Sequence, residues 1–220
     1  MKRVELQRCA RVAMEKCVAL RAGERVLVVT DTMRDQSVAH ALVGAAMAAG
    51  SEAVLIVIPT RRMAPQEPPA CVAAAMQATD ITFLYTTYSL SHSSARVQAQ
   101  KAGARILSMP GVTEDGFLRT LSIDIEALAS LTNSLSERVG RAKSARITTS
   151  LGTDVSLELG HPVTPIDGLC QKPGEIDFFP PGLFLSVPKL GGVSGKAVVD
   201  GAITQIGRLS SPVTMTFAEG

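Results

Sequence analysis

The segment from Ser89 to Asp115 brings a histidine, several hydroxyl side chains and an arginine into one short stretch. Serine is a preferred N-cap residue, so we expect Ser91 to cap a helix that opens at His92. The positive end of the helix dipole disfavours a cationic imidazole, which would keep His92 neutral and able to act as a base. His92 is therefore a candidate catalytic base or substrate contact, and Ser91 and Arg96 are candidate substrate-binding residues.

A purely structural role for His92, in which its ring bonds a nearby backbone group, is an equal alternative. Ser91 and Ser93 flank the histidine, but neighbouring residues on a helix point in different directions. A serine hydrolase is therefore disfavoured.

The second candidate site is the carboxylate of Glu175. Pro173 and Gly174 restrict the backbone before it, and Phe178 and Phe179 follow it. A carboxylate in such a site can bind a hard or borderline cation. The alternative, a solvated glutamate on a rigid loop, is favoured by the residue pattern alone. One carboxylate does not make a metal site, because zinc needs three or four ligands.

Nucleotide and nucleic-acid binding are disfavoured by the motifs and the charge. The glycine-rich run at 191–197 resembles a P-loop, but it is one residue short and no Ser or Thr follows Lys196. No glycine-rich turn follows the first predicted strand, where a dinucleotide site would need one. The net charge of +2 comes from 22 basic and 20 acidic residues without a basic run. We expect no nucleic-acid partner.

The remaining composition predicts a cytoplasmic protein. No apolar run approaches the ~18 residues that a membrane-spanning helix needs, so we expect no membrane partner. The amphipathic, charged start of the chain is unlike a secretory signal. The four cysteines show no zinc-binding spacing, which favours reduced thiols.

The elements that must position these residues are short apolar strands alternating with longer helical patterns. The strands are predicted at 25–30, 53–58, 81–85 and 105–107. Near-continuous apolar strands are typical of a parallel sheet buried on both faces, and the alternation indicates βαβ units. We therefore predict an α/β fold, a three-layer sandwich with a mostly parallel sheet, for an N-terminal domain over 1–143.

Beyond Lys143 the pattern changes to one typical of antiparallel strands. Hairpins are predicted across Leu151-Gly152 and, from the stronger turn signal, across Asp200-Gly201. A last strand at 212–217 has no partner strand after it, and such a strand needs neighbours. We therefore expect 144–220 to be the start of a β-rich second domain of metal-binding type that looks C-terminally truncated, and we expect a homo-oligomer.

Three motifs resemble a known enzyme superfamily. They are Ser-His-Ser-Ser-Ala-Arg at 91–96, Ala-Gly-Ala-Arg at 102–105 and Met-Pro-Gly-Val-Thr-Glu-Asp at 109–115. They are similar to motifs of the thermophilic metallo-aminopeptidases of the aminopeptidase T (leucyl aminopeptidase-like) type. The same superfamily includes the Fe(II)-dependent 2,5-dihydroxypyridine dioxygenases, which cleave an aromatic ring.

As the leading interpretation, the resemblance implies a metal-dependent aminopeptidase that hydrolyses N-terminal bonds of small peptides. The cofactor would be a divalent metal of zinc or cobalt type, and Glu175 would match the metal-ligating glutamate of a Pro-x-Gly-Glu element. The family's other ligands come from a segment that this chain does not contain. We therefore expect this chain alone not to retain the metal or to complete the catalytic centre.

Two other functions remain open. The resemblance also allows Fe(II)-dependent cleavage of a small dihydroxypyridine-like aromatic, in which His92 lines the substrate pocket and withdraws a proton from a ring hydroxyl. The third possibility is a non-catalytic, truncated paralogue that acts as an oligomeric or binding protein, because an exposed strand at 213–217 favours association.

Overall fold

The structure, a computed structural model, describes residues 2–64, 66–203 and 206–220. The helices are α1 (Lys2–Val12, continued by a π-helical turn, Ala13–Cys17), α2 (Ser37–Ala48), α3 (Ala70–Gln77), α4 (Ser94–Lys101), α5 (Glu114–Leu121) and α6 (Ile125–Arg141). The strands are β1 (Arg25–Asp31), β2 (Glu52–Ile58), β3 (Ile81–Tyr85), β4 (Arg105–Ser108), β5 (Ser144–Thr148), β6 (Asp154–Ile166), β7 (Ile176–Phe178), β8 (Leu183–Val199), β9 (Ala202–Ile203), β10 (Gly207–Arg208) and β11 (Val213–Phe217).

Five strands form a parallel sheet in the order β2-β1-β3-β4-β7. The chain passes from β1 to β2 on one side and then returns to the other side of β1 for β3. The strand order therefore reverses between β1 and β3. In open α/β sheets, ligands bind beyond the carboxyl ends of the strands at such a point.

Apolar side chains on both faces of this sheet hold the helices against it. One core joins the sheet to α1, α2 and α5, and the other joins it to α3 and α4. All five residues of β3 are buried, as a central strand covered on both faces requires. The predicted α/β fold with helices on both faces of a mostly parallel sheet is confirmed.

One helical detail differs from the sequence prediction. The helix that contains Ala95 begins at Ser94, and Ser93 rather than Ser91 is its N-cap. The motif at 109–115 runs into the start of α5, where the Thr113 hydroxyl accepts a hydrogen bond from Gly116 N at 3.0 Å. Thr113 and Ser93 both precede small or polar residues, and each satisfies a backbone N–H at a helix start.

The chain divides into two compact units. One comprises Met1–Thr132 and Ile166–Leu183, and the other comprises Asn133–Pro165 and Phe184–Gly220. Residues 166–183 thus return to the first unit, where β7 extends the parallel sheet beside β4. The two compact units are not a test of independent folding, so the domain boundary after residue 143 stays a prediction.

The second unit contains an antiparallel sheet in the order β11-β8-β6-β5. The predicted hairpin across Leu151-Gly152 is confirmed by β5 and β6. At Gly195, where φ is +113°, an added Cβ would lie 2.1 Å from the Asp154 carbonyl oxygen, so only glycine fits there.

The predicted hairpin across Asp200-Gly201 is wrong. The end of β8 pairs with β11, and β9 pairs with β10. Residues 204 and 205 of the predicted strand lie outside the described residues. The strand predicted at 212–217 therefore has a neighbour, which precedes it in the chain. No helix of the described part of the chain is both long enough and apolar enough to cross a membrane.

Candidate functional site

A buried carboxylate joins the ends of three neighbouring strands at the carboxyl edge of the parallel sheet. Asp31, the last residue of β1, is 1% exposed. Its carboxylate accepts hydrogen bonds from Met33 N (3.0 Å), Thr60 Oγ1 (2.9 Å), Thr87 N (2.5 Å) and Thr87 Oγ1 (2.9 Å). Thr60 follows β2, and Thr87 follows β3. Asp31 therefore fixes the loops on both sides of β1, at the point where the strand order reverses.

These hydrogen bonds decide the charge of Asp31. Burial by itself would raise the pKa of the carboxyl, but the bonds from Thr87, Thr60 and Met33 outweigh it and lower the pKa below its ordinary value. Asp31 is thus a carboxylate at neutral pH. It accepts four hydrogen bonds from three residues of the protein, which makes it an anchor for the loops.

The loop after β1 also holds an arginine against an aromatic ring. The Arg34 guanidinium carbon lies 4.6 Å from the Tyr85 ring centroid, and Arg34 Nη2 donates to the Tyr85 hydroxyl at 3.1 Å. Gln36 Nε2 donates to the carbonyl oxygens of Asp31 (3.1 Å) and Arg34 (2.8 Å). Burial raises the pKa of Tyr85, against the opposing influence of Arg34. A planar cation and a neutral phenol therefore lie side by side at this edge.

The loop between β3 and α4 carries the residues that the sequence analysis singled out first. Ser91 is buried, and its hydroxyl shares a 2.5 Å hydrogen bond with that of Ser108 at the end of β4. Ser89 Oγ donates to Ser91 Oγ at 2.9 Å. His92 is exposed in the turn that precedes α4. Ser91 thus anchors the loop while His92 faces solvent from it.

The amino end of α4 is occupied by a carboxylate from the loop after β2. Glu67 accepts hydrogen bonds from Ser94 N at 2.5 Å and Ala95 N at 3.1 Å. The bond from Ser94 is the main reason why the pKa of Glu67 is lowered. The loops after β1, β2 and β3 are therefore tied together at this edge, by Asp31 and by Glu67.

Arg96 links this edge to the opposite end of α4. Arg96 Nε donates to the Ser91 carbonyl oxygen at 2.5 Å, and Arg96 Nη1 donates to the side-chain oxygen of Gln100. Gln100 Nε2 in turn donates to the Gly174 carbonyl oxygen at 2.7 Å. The contacts of Arg96 that the structure shows are thus with the protein, and its predicted contact with substrate stays a prediction.

Glu175 lies at the other edge of the sheet. It directly precedes β7, and its carbonyl oxygen accepts a hydrogen bond from Ile106 N, at the amino end of β4. Ser91 instead meets Ser108, at the carboxyl end of β4. At a rise of about 3.3 Å per residue, roughly 7 Å of strand separates Ile106 from Ser108. The structure brings Ser91, His92 and Arg96 together on one helix and its entry, but it does not bring Glu175 to them.

Comparison with known proteins favours one of the two enzyme classes. The chain matches the model of the NicX family, 2,5-dihydroxypyridine 5,6-dioxygenase, over residues 5–220. The chain belongs to the NicX family. The resemblance to the superfamily is supported, and the family match favours the ring-cleaving dioxygenase over the aminopeptidase that we took as the leading interpretation.

Solved structures share the fold, among them two enzymes. The 2,5-dihydroxypyridine dioxygenase from Pseudomonas putida KT2440 is similar with a TM-score of 0.80 and 19% identity, over 99% of this chain and 66% of that chain. AmpT from Thermus thermophilus is similar with a TM-score of 0.59 and 15% identity, over 100% of this chain and 70% of that chain. This NicX-family chain thus spans about two thirds of the length of the solved dioxygenase. Comparison with the curated proteins finds no match.

The NicX family implies an iron cofactor, and a metal site needs several donor side chains held close together. Glu175 Oε2 accepts hydrogen bonds from Gln171 N and Lys172 N, both at 2.9 Å, and Lys172 Nζ lies 3.7 Å from Oε1. Nowhere in residues 2–64, 66–203 and 206–220 do three His, Cys, Asp or Glu side chains lie close enough to hold a metal ion. These residues do not fit an iron site, and metal ligation by Glu175 stays a prediction.

One buried acid was missed by the sequence analysis. Asp177 on β7 is buried, and burial, followed by the side-chain hydrogen bond between its protonated form and Asp167, raises its pKa to about 7. Its oxygens accept hydrogen bonds from Phe178 N at 2.5 Å and Gly168 N at 3.2 Å. The available signal was an aspartate between Ile176 and two phenylalanines, in a run short and apolar enough to be a strand.

The cysteines near Asp177 are core residues. Cys17 and Cys170 are fully buried, and burial raises the pKa of each thiol to about 12. All four cysteines are free, with only Cys71 exposed. At neutral pH the two buried thiols are protonated, so they act as small apolar side chains in this NicX-family fold.

Proposed function

We propose that this chain binds a small hydroxylated pyridine and contributes to dioxygenase-type cleavage of its ring. The match to the NicX family over residues 5–220 is the observation that carries the proposal. The sheet order supports a location in the crevice between the ends of β1 and β3, because open α/β sheets bind their ligands at such a point.

The loop between β3 and α4 supplies the residue with a proposed chemical role. His92 is exposed on this loop, and the hydrogen bond between Ser91 and Ser108 anchors the loop to the end of β4. A histidine in this position can withdraw a proton from a ring hydroxyl, which makes the ring richer in electrons. Because the described residues form no iron site, the roles proposed for this chain are limited to binding the substrate and accepting its proton.

Binding can be measured without the metal reaction. The full chain is titrated with 2,5-dihydroxypyridine under argon by isothermal calorimetry. We expect one saturable site, and we expect His92→Gln to weaken binding about tenfold, as loss of a hydrogen bond to a charged or acidic group does. His40→Gln on α2 is the matched control and should bind as the unaltered chain does. Absence of saturable binding, or equal losses in the two variants, would refute the proposed role.

A competition experiment separates the ring-cleaving class from the peptidase class. Leucinamide presents the amino-terminal group that an aminopeptidase recognises, whereas 3-hydroxypyridine presents only the aromatic part. We expect 3-hydroxypyridine to displace 2,5-dihydroxypyridine and leucinamide not to. If only leucinamide displaced 2,5-dihydroxypyridine, the peptidase interpretation would be favoured instead.

A further inference from the structure

The strand β2 forms an outer edge of the parallel sheet, and its backbone groups alternate in direction. The Ile58 carbonyl oxygen accepts a hydrogen bond from Thr32 N, so the backbone groups of Ile58 face β1. Alternate residues of a strand point their backbone groups to opposite sides. The N–H and C=O groups of Ala53, Leu55 and Val57 therefore point outward. Within the described residues, no backbone hydrogen bond from another element reaches them.

The apolar stretch of this edge lacks the features that usually protect an exposed strand, and a proline, Pro59, comes only after its last residue. From Ala53 to Ile58 the sequence is Ala-Val-Leu-Ile-Val-Ile, without charge, proline or glycine. The side chains of Val54 and Val57 are 46% and 48% exposed. Natural proteins block free edges with lysine, proline, bulges or short strands, because an open apolar edge pairs with another strand.

The opposite edge of the same sheet is protected. There β7 has only three residues, Ile176–Phe178, and Pro180 and Pro181 follow two residues later. A strand this short, ended by prolines, offers little backbone for pairing. The two edges therefore differ mainly in length, because β2 offers seven residues for pairing with another strand and β7 only three.

We propose that β2 pairs antiparallel with β2 of a second copy of this chain, about a two-fold axis through Leu55. The three outward-facing residues are symmetric about that position. Ala53 of one copy lies opposite Val57 of the other, and Leu55 lies opposite itself. Both copies therefore align their free N–H and C=O groups in the register that an antiparallel ladder needs. The two five-stranded sheets then join into one.

The charges at the two ends of β2 favour a second copy as the occupant. Glu52 begins the strand, and Arg61 and Arg62 follow its end. In the part of the chain that the structure describes, none of these three side chains takes part in a salt bridge. Antiparallel pairing places the acidic end of one strand beside the basic end of the other. A parallel arrangement would instead place like charges together.

Sedimentation velocity of the full chain, over about two orders of magnitude in concentration, tests the pairing. We expect a reversible dimer, because two seven-residue strands bury less than the ~1,200 Å² of a standard interface. Val57→Lys should weaken dimerisation at least tenfold, since two charges would enter the shared strand pair. Ile147→Lys, at a similarly exposed apolar position on the edge strand β5, should leave it unchanged.

A charge exchange makes the test independent of how well the first variant folds. Glu52→Arg should weaken the dimer about fivefold, as expected for exposed charges. Combining it with Arg61→Glu and Arg62→Glu should restore most of the affinity. A monomer at every concentration overturns the proposal. A dimer that withstands Val57→Lys but is lost in Ile147→Lys also overturns it, because the interface would then lie elsewhere.

Discussion

At the scale of single residues, Asp31 shows how a charge is kept inside a protein. A buried carboxylate is unfavourable unless hydrogen bonds replace its hydration. Thr60 and Thr87 provide hydroxyl donors, and Met33 and Thr87 provide backbone donors. The same bonds connect three loops. The hydrogen bonds that keep Asp31 charged therefore also hold together the loops where we propose that the substrate binds.

Asp31→Asn tests this role through the stability of the fold. An amide cannot accept all four hydrogen bonds, so we expect the free energy of unfolding at pH 7 to fall by about 2 kcal/mol. The pKa of Asp31 is lowered in the folded protein. Its stabilisation is therefore present above its unfolded pKa and is lost as the pH falls through the folded pKa. Urea unfolding should show the two proteins converging in acid.

Asp124→Asn is the matched control for that measurement. Its carboxylate accepts one hydrogen bond, from Ala127 N at the start of α6, and it is exposed. We expect almost no loss, because asparagine and aspartate cap a helix about equally well. Equal losses in the two variants would contradict the special role of Asp31.

Asp177 should have the opposite dependence on pH. Its pKa rises from 3.8 to about 7 in the folded protein. Between these values the folded protein holds a proton that the unfolded chain has released, so stability decreases as the pH rises through this range. We expect Asp177→Asn to reduce this decrease and to be more stable than the unaltered chain at pH 8. Urea midpoints at pH 5 and pH 8 measure the effect, and an unchanged pH slope would contradict it.

At the scale of elements, α4 depends on a residue from a distant loop. Ser93 caps the helix from within its own segment, whereas Glu67 binds the N–H groups of Ser94 and Ala95 from the loop after β2. A carboxylate at this position also interacts favourably with the helix dipole. The start of α4 is therefore stabilised by both local and long-range contacts, and His92 directly precedes it.

Glu67→Gln should loosen the start of α4 without unfolding the sheet. We expect hydrogen exchange of the Ser94 and Ala95 amides to accelerate about fivefold, as loss of roughly 1 kcal/mol predicts. Amides of β3 should exchange at their original rate. Exchange that accelerates equally in β3 and α4 would mean that Glu67 supports the whole unit and not this helix.

At the scale of the molecule, the candidate residues lie at opposite ends of the strands of the parallel sheet. Asp31, Thr87 and Ser91 lie at the carboxyl edge, and Glu175 lies at the amino edge. The two outer strands of the sheet also differ, since β2 is long and apolar whereas β7 is short. The proposed substrate site and the proposed dimer contact along β2 therefore use different parts of the same unit.

Much of this fold follows from local sequence. The apolar strands β1 to β4 were predicted to within a few residues, because a strand buried on both faces must be apolar throughout. The hairpin of β5 and β6 was also predicted, since its turn and its alternation lie within one short segment. The residues of the β3–α4 loop were identified from their types and their position after a strand.

Only the tertiary structure decided the rest. Asp31 meets Thr87 across 56 residues, and β7 joins the sheet beside β4, which lies far back in the chain. The turn at Asp200-Gly201 favours a local hairpin, yet β8 pairs with β11. A sequence pattern reports the burial and turn preference of a segment, whereas the partner of a strand or a carboxylate depends on which distant groups the whole fold brings within hydrogen-bonding distance.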